Sequence, residues 1–215
     1  MYIPKHFDLT DRDEIRAVMR DYAFAMLVTA VDGAPPQATH LPFVYAPNEG
    51  PNGTLAAHMA RANPHWEDLQ RLQSDGGEAL VIFQGPHAYV SPRWYGDGAA
   101  VPTWNYVAVH AYGTPRLIED AVRARRLLAN LADTYESGAA EPWRLDVQED
   151  SFIRANLRGI VAFEIPISRL EAKAKLSQNK SPAARQGVIA ALADGDGSVG
   201  HEVAKLMGRR EPKAG

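Results

Sequence analysis

Between Gly85 and Tyr106 the chain reads GPHAYVSPRWYGDGAAVPTWNY, a composition that no regular helix accommodates. Pro86, Pro92 and Pro102 fix the backbone and remove donors, while Gly96 and Gly98 permit sharp turns. Tyr89, Trp94, Tyr95, Trp104 and Tyr106 add planar, polar-edged surface. The segment suits a planar ligand, a subunit interface or core packing, and by itself does not choose among them.

On either side of it, strand patterns alternate with helical ones. Thr10 with Asp13 predicts the cap of a first helix, with Ile15, Val18, Met19 and Tyr22 on one face. Strands are expected over Ala25 to Val31 and Gln37 to Tyr45, joined at Asp32-Gly33 with Pro35 and Pro36. A turn at Asn48 to Gly53 precedes a strand from Thr54 to Met59, and Asn63-Pro64 then opens a helix running through Leu72. Glu78 to Phe83 reads as an apolar strand. In the strand from Trp104 to Tyr112, Tyr106, Ala108, His110 and Tyr112 face one way and Val107, Val109 and Ala111 the other. A helix from about Asp120 to Tyr135 carries Val122, Leu127, Leu128, Leu131 and Tyr135 at helical spacing and leaves Arg123, Arg125 and Arg126 mostly solvated. Val161, Phe163, Ile165 and Ile167 mark a further strand. From Leu170 to Ser177 the alternation places Lys173 and Lys175 on one face, and Arg209 to Gly215 reads as a loose tail. Hairpin signals argue against parallel βαβ units. The expected class is mainly β with α, an antiparallel barrel carrying peripheral helices.

At 215 residues with 46% hydrophobic content, the chain can bury one sizeable core. It contains no cysteine, which excludes disulfides, thiolate metal ligands, iron–sulfur clusters and cysteine nucleophiles. A net charge of -3 provides no global attraction to nucleic acid or anionic membrane. No leader-like or membrane-spanning apolar run is present, so a cytoplasmic protein with no membrane association is expected.

Several motifs dissolve on inspection. Gly195, Gly197 and Gly200 match a dinucleotide spacing but follow a helical pattern with no room for a βαβ unit, so they read as a loop. Ser177 and Lys180 share a serine–lysine spacing without its companion signatures. The seven histidines form no metal constellation, and His110 alone is weak support for a haem ligand. HMARANPHW, from His58 to Trp66, places Arg61 and Asn63 before a helix start, which fits either an anion site or an ordinary capped helix. Lys173 and Lys175 fit either a second cationic contact or a solvated strand edge.

Taken in order, MYIPKHF, HMARANPHW, GPHAYVSPRWY, VPTWNY and LEAKAKLSQNK resemble the PaiB family of FMN-binding negative transcriptional regulators, over Met1 to about Gly187. That resemblance implies an FMN-binding split β-barrel, related to pyridoxamine-phosphate oxidases and flavin reductases, as a homodimer with flavin sites between protomers. The domain would span residues 1–187, followed by a helical extension and tail over 188–215. The likeness places His58, Arg61, Asn63 and Pro64 around the FMN phosphate and Thr39, His40 and Leu41 beside the ring or ribityl chain. Trp104, Asn105 and Tyr106, with Tyr89 nearby, would line the isoalloxazine end, and Lys175, Gln178 and Asn179 would close it. A flavin needs a stacking surface, polar groups at its heteroatom edge and charge-assisted contacts to its phosphate.

The family's name implies a repressor, yet no helix-turn-helix with a basic recognition helix is evident, so support for direct DNA binding is weak. The other functional class is a flavin-dependent oxidoreductase passing hydride or electrons to a small substrate. No residue declares itself a catalytic acid or base, with His110 and Tyr106 the first to examine.

Overall fold

Turn chemistry and strand alternation produce antiparallel sheets overlaid by helices. A computed structural model describes residues 1–96 and 100–210; the expected turn at Gly98 and the part of the expected tail beyond Arg210 lie outside the described residues. The chain divides into a central unit, Met19–Phe83 with His110–Leu170, and a terminal unit, Met1–Val18 with Gln84–Val109 and Glu171–Gly215. The strands are β1 (Phe24–Thr29), β2 (Gln37–Pro42), β3 (Val44–Ala46), β4 (Thr54–Ala60), β5 (Ala79–Val90), β6 (Thr103–Gly113), β7 (Arg116–Ile118), β8 (Ile160–Pro166) and β9 (Arg169–Lys175). The α-helices are α1 (Arg12–Asp21), α2 (His65–Asp75), α3 (Ala121–Glu136), α4 (Asp150–Arg158), α5 (Pro182–Asp194) and α6 (Ser198–Arg209).

In the central unit β1 and β2 form the expected hairpin, with Leu27 opposite Thr39 and Gly33 taking φ 80° at its tip. On its other side β1 pairs antiparallel with β5, Leu27 opposite Val81. A separate sheet runs β3-β4-β8-β7, all antiparallel. The single strand expected over Gln37 to Tyr45 is therefore two, one in each sheet. The break falls at Pro42-Phe43: Pro42 has no N–H to continue a ladder, and the Phe43 N–H leaves it for the Ala23 carbonyl at 2.9 Å. Phe43 is buried, with its ring edge-on to Phe83 at 6.1 Å and to Phe163 at 6.2 Å.

Helices α3 and α4 cover the outer face of the second sheet. Ala124 and Leu127 pack with Ala162, flanked by Val44, Ala56, Ile118 and Leu157. Val122 and Tyr135 are exposed rather than part of this face, because the helix buries the Ala124–Leu127 side. Helix α4 lies between the expected Asp120–Tyr135 helix and the Val161 strand, where the sequence pattern predicts no element; its nine residues bury only Ile153, too little periodicity to announce it.

In the terminal unit β5, β6 and β9 are neighbours in that order. The strand read as ending at Phe83 continues to Val90, since Pro86 lies past the stretch of β5 that pairs with β1. In β6 burial alternates from Asn105 to Gly113, as the pattern predicts. The cap of α1 is Asp11 rather than Thr10: its Oδ1 accepts from the backbone N–H groups of Asp13 and Glu14 at 2.9 and 3.0 Å. Ser181 caps α5, and the glycine trio is not all loop: Gly195 ends α5, Gly197 precedes α6, and Gly200 lies inside α6. Helix α5 is continuous across positions 187 and 188. The strand orders close neither sheet, so the described strands form two sheets rather than one continuous barrel.

Candidate functional site

Two groups of polar and aromatic side chains stand out, one in each unit. In the central unit, the hairpin register brings Thr29 and Thr39 to the first turn of α2, whose His65 and Asp68 are three residues apart and both buried. Thr29 Oγ1 donates to Asp68 Oδ2 at 2.8 Å, because a carboxylate can only accept. Its contact with His65 Nε2, also 2.8 Å, must then be donated by the ring. The other nitrogen, Nδ1, accepts from the Thr39 hydroxyl at 2.7 Å, which leaves Thr39 oxygen lone pairs for Asn63 Nδ2 at 3.4 Å. Asn63 Oδ1 in turn accepts the His65 backbone N–H at 3.1 Å, and Gln37 donates to Asp68 at 3.0 Å. This chain of bonds fixes one neutral tautomer. Burial holds the His65 pKa below its ordinary value, with the Asp68 charge opposing in part.

The network orients Thr39 and Asn63, both half-buried, at the start of α2. Pro64 is exposed beside them, while His40 projects outward from β2 and stacks on Phe24 at 6.1 Å; Leu41 is buried. Arg61 is committed elsewhere: its Nε donates to the Arg158 carbonyl at 3.0 Å and a terminal nitrogen to that of Ile160 at 2.8 Å. His58 lies on β4 opposite Ala162 and lines a cavity beneath α3 and α4.

In the terminal unit, Tyr89 is 44% exposed and Trp104 53% exposed, with their rings edge-on at 6.1 Å. Trp94 adds an edge to Tyr89 at 6.4 Å and His87 tilts over Trp104 at 6.2 Å. Behind this aromatic face, Lys175 Nζ donates to Thr103 Oγ1 at 2.6 Å and to the Trp104 carbonyl at 2.5 Å. Burial, reinforced by the Lys173 charge, pushes the Lys175 pKa below the usual lysine value.

Asn105, in contrast, is fully buried and tied to Ser177: Nδ2 donates to Ser177 Oγ at 3.1 Å, and the hydroxyl approaches Oδ1 at 3.2 Å. Ser177 adopts φ 60°, so the extended stretch ends at Lys175 and not at Ser177. Gln178 folds back on its own segment, donating to the Ala174 carbonyl at 2.5 Å and accepting from the Leu176 N–H at 2.7 Å. Asn179 is exposed. Tyr106 is half-buried, with Lys173 Nζ 5.3 Å from its ring. The reading of Lys173 as part of a solvated strand edge does not hold. It is buried, donates to the Tyr2 carbonyl at 3.1 Å and sits near the Tyr2 and Phe7 rings.

Sequence reasoning missed Thr29, His65 and Asp68, whose one local signal is the three-residue spacing of His65 and Asp68 at a helix start. It also missed Arg185, which is buried and donates to the Leu176 and Met207 carbonyls, each at 2.9 Å. No local pattern announces that residue.

Solved structures share the fold. The flavocytochrome Anf3 of Azotobacter vinelandii matches at a TM-score of 0.60 and 17% identity, over 80% of this chain and 72% of that one. The FAD and heme binding protein of Mycobacterium smegmatis matches at 0.58 and 19%, over 78% and 73%. Antiparallel sheets of the split-barrel type with overlying helices define the fold class. The family model described as "Putative FMN-binding domain" matches residues 1–169, and the chain belongs to that family. FMN is accordingly its cofactor. The chain is 35% identical to "Protease synthase and sporulation protein PAI 2" of Bacillus subtilis over 207 residues, 96% of each chain, which bears out the PaiB likeness of its motifs. A protein of Emericella nidulans, AN0679, is 30% identical over 91% of this chain and 92% of its own. Among the described residues no helix is long and apolar enough to cross a membrane.

Proposed function

We propose that the protein is an FMN-binding regulator of the PaiB type, acting in the cytoplasm as a homodimer with its flavin sites at the subunit boundary. The observation that carries the flavin assignment is the exposed Tyr89–Trp104 face backed by the anchored Lys175 amine. These groups fit a flavin: aromatic faces for its ring and a cation for its electron-rich edge. In the central unit, Thr39 and Asn63 present oriented polar groups suited to a phosphomonoester or ribityl hydroxyl, and Arg61 adds positive charge nearby in sequence. His40, Leu41, Pro64, Tyr106, Gln178 and Asn179 complete the proposed surroundings, with Asn105 held in the core beside them by Ser177.

Bound FMN supplies hydride and electron chemistry; the chain's own residues bind and orient it. The regulatory reading is supported by the sporulation-protein relative, matched over 96% of each chain. Arg123 and Arg125 of α3 are paired with Glu164 at 2.7 Å and Asp150 at 3.0 Å, which favours action through a protein partner or small effector over direct DNA contact. The domain proper is proposed to span residues 1–187, with 188–215 as a helical extension.

A visible-absorbance titration with FMN tests the cofactor site. Saturable binding preferring FMN to FAD is expected, and Trp104→Ala should weaken it about tenfold, the loss of roughly 1–1.5 kcal/mol of aromatic contact. Unchanged affinity removes Trp104 from the site. Light scattering with and without FMN tests the dimer, and rapid multiple-turnover oxidation of NAD(P)H would overturn the regulatory reading in favour of an enzyme.

A further inference from the structure

The central unit holds a cavity of about 470 Å³ that, of the residues the family likeness assigns to the flavin, takes in His58 alone. Its floor is His58 of β4 and Ile160 of β8, and its walls come from α3, α4 and the segment between them. Leu131, Tyr135, Trp143 and Phe152 make it predominantly apolar and aromatic. All three rings are open to solvent: Tyr135 at 57%, Phe152 at 53% and Trp143 at 43%. A pocket in the range of about 300–1,000 Å³ with a few convergent polar groups has the form of a small-molecule site.

The polar group on the floor restricts the ligand. His58 Nδ1 is shut away from solvent and has no hydrogen-bond partner, so a ligand can be met only by the other ring nitrogen. An imidazole whose one nitrogen is sealed places its proton where a partner can reach, which makes Nε2–H a donor toward the cavity. Burial lowers the His58 pKa, so the ring is neutral near pH 7. Glu136 also lines the cavity and disfavours an anion. We propose that this cavity binds a neutral aromatic carbonyl compound, its rings among Leu131, Tyr135, Trp143 and Phe152 and its carbonyl oxygen accepting from His58 Nε2.

The matched probes are 2-acetylnaphthalene and 2-ethylnaphthalene, which differ in the carbonyl, titrated into the FMN-loaded protein by tryptophan fluorescence and calorimetry. The ketone should bind in the micromolar range and about fivefold more tightly than the hydrocarbon, the advantage of one net hydrogen bond. His58→Phe should erase the difference between the probes, and His58→Gln, which keeps a donor, should retain part of it. Leu131→Trp fills the cavity while leaving His58 in place, and should abolish binding of both without loss of FMN. Equal affinities in the wild type, undiminished binding to Leu131→Trp, or displacement of the ketone by added free FMN from flavin-free protein would overturn the proposal. Failure of FMN itself to bind would bear on the cofactor site alone, since the ketone titration can be read on flavin-free protein.

Discussion

Replacing Thr29 by Val tests the buried network that positions Thr39 and Asn63. The substitution preserves β-branching and shape at a residue 1% exposed, so packing is nearly unchanged. What it deletes is one hydroxyl making two bonds of 2.8 Å, donating to Asp68 and accepting from His65 Nε2. Both partners stay buried. Asp68 retains Gln37 Nε2 at 3.0 Å, whereas His65 Nε2–H loses the acceptor described for it. Leaving a buried polar group unsatisfied costs about 1–3 kcal/mol, so the two together should destabilise by about 2–4 kcal/mol, the carboxylate falling at the lower end. With a urea m value of about 2–3 kcal/mol/M, the midpoint should fall by roughly 1 M, followed by circular dichroism and tryptophan fluorescence. Thr29→Ser retains the hydroxyl and should recover most of the loss. A midpoint for Thr29→Val within about 0.2 M of wild type, or an equal fall in Thr29→Ser, would refute the hydrogen-bond assignment, since the threshold is well below the cost of even one unsatisfied group.

Acid sensitivity follows from His58 and His65, both held below the ordinary histidine pKa chiefly by burial. In the unfolded chain each takes up a proton near about pH 6.5. Between that value and the lower native one the unfolded state binds more protons, so stability falls as pH drops below about 6.5 and the loss levels off once the native pKa is passed. The urea midpoint of wild type measured against His58→Gln should show a difference that changes over this window; a constant difference contradicts it. Gly187→Ala would put a Cβ 2.2 Å from the Trp94 carbonyl oxygen, a clash with backbone rather than with a flexible tip. The strain, about 1–3 kcal/mol, should outweigh the roughly 1 kcal/mol gain in helix propensity, and a raised melting temperature would show that α5 packs otherwise.

The elements most legible in the sequence are those whose cause is local. The β1–β2 hairpin needs only Asp32-Gly33 and flanking alternation, and the alternation of β6 is printed in its own residues. The cap of α1 was displaced by one residue because Asp11 and Thr10 are both competent acceptors, and the register of the turn decides between them. Lys173 defied reading for another reason. A lysine in an alternating polar row reads as exposed, and what buries it is a carbonyl and three rings from Tyr2, Phe7 and Tyr106, far away in sequence. The same holds for the site. The aromatic face lies within one segment and was visible, whereas the Thr29–His65–Asp68 chain joins a strand to a helix 36 residues later.

The Phe43 corner has a consequence for how the central unit comes apart. One ring touches Phe83 in the first sheet and Phe163 in the second, while the Phe43 backbone carries the chain from β2 to β3. Unzipping either sheet would drag this residue out of its seat and strip an aromatic neighbour from the other, so partial melting exposes apolar area on both sides at once. The two sheets of the central unit should therefore lose amide-exchange protection together, as one cooperative body.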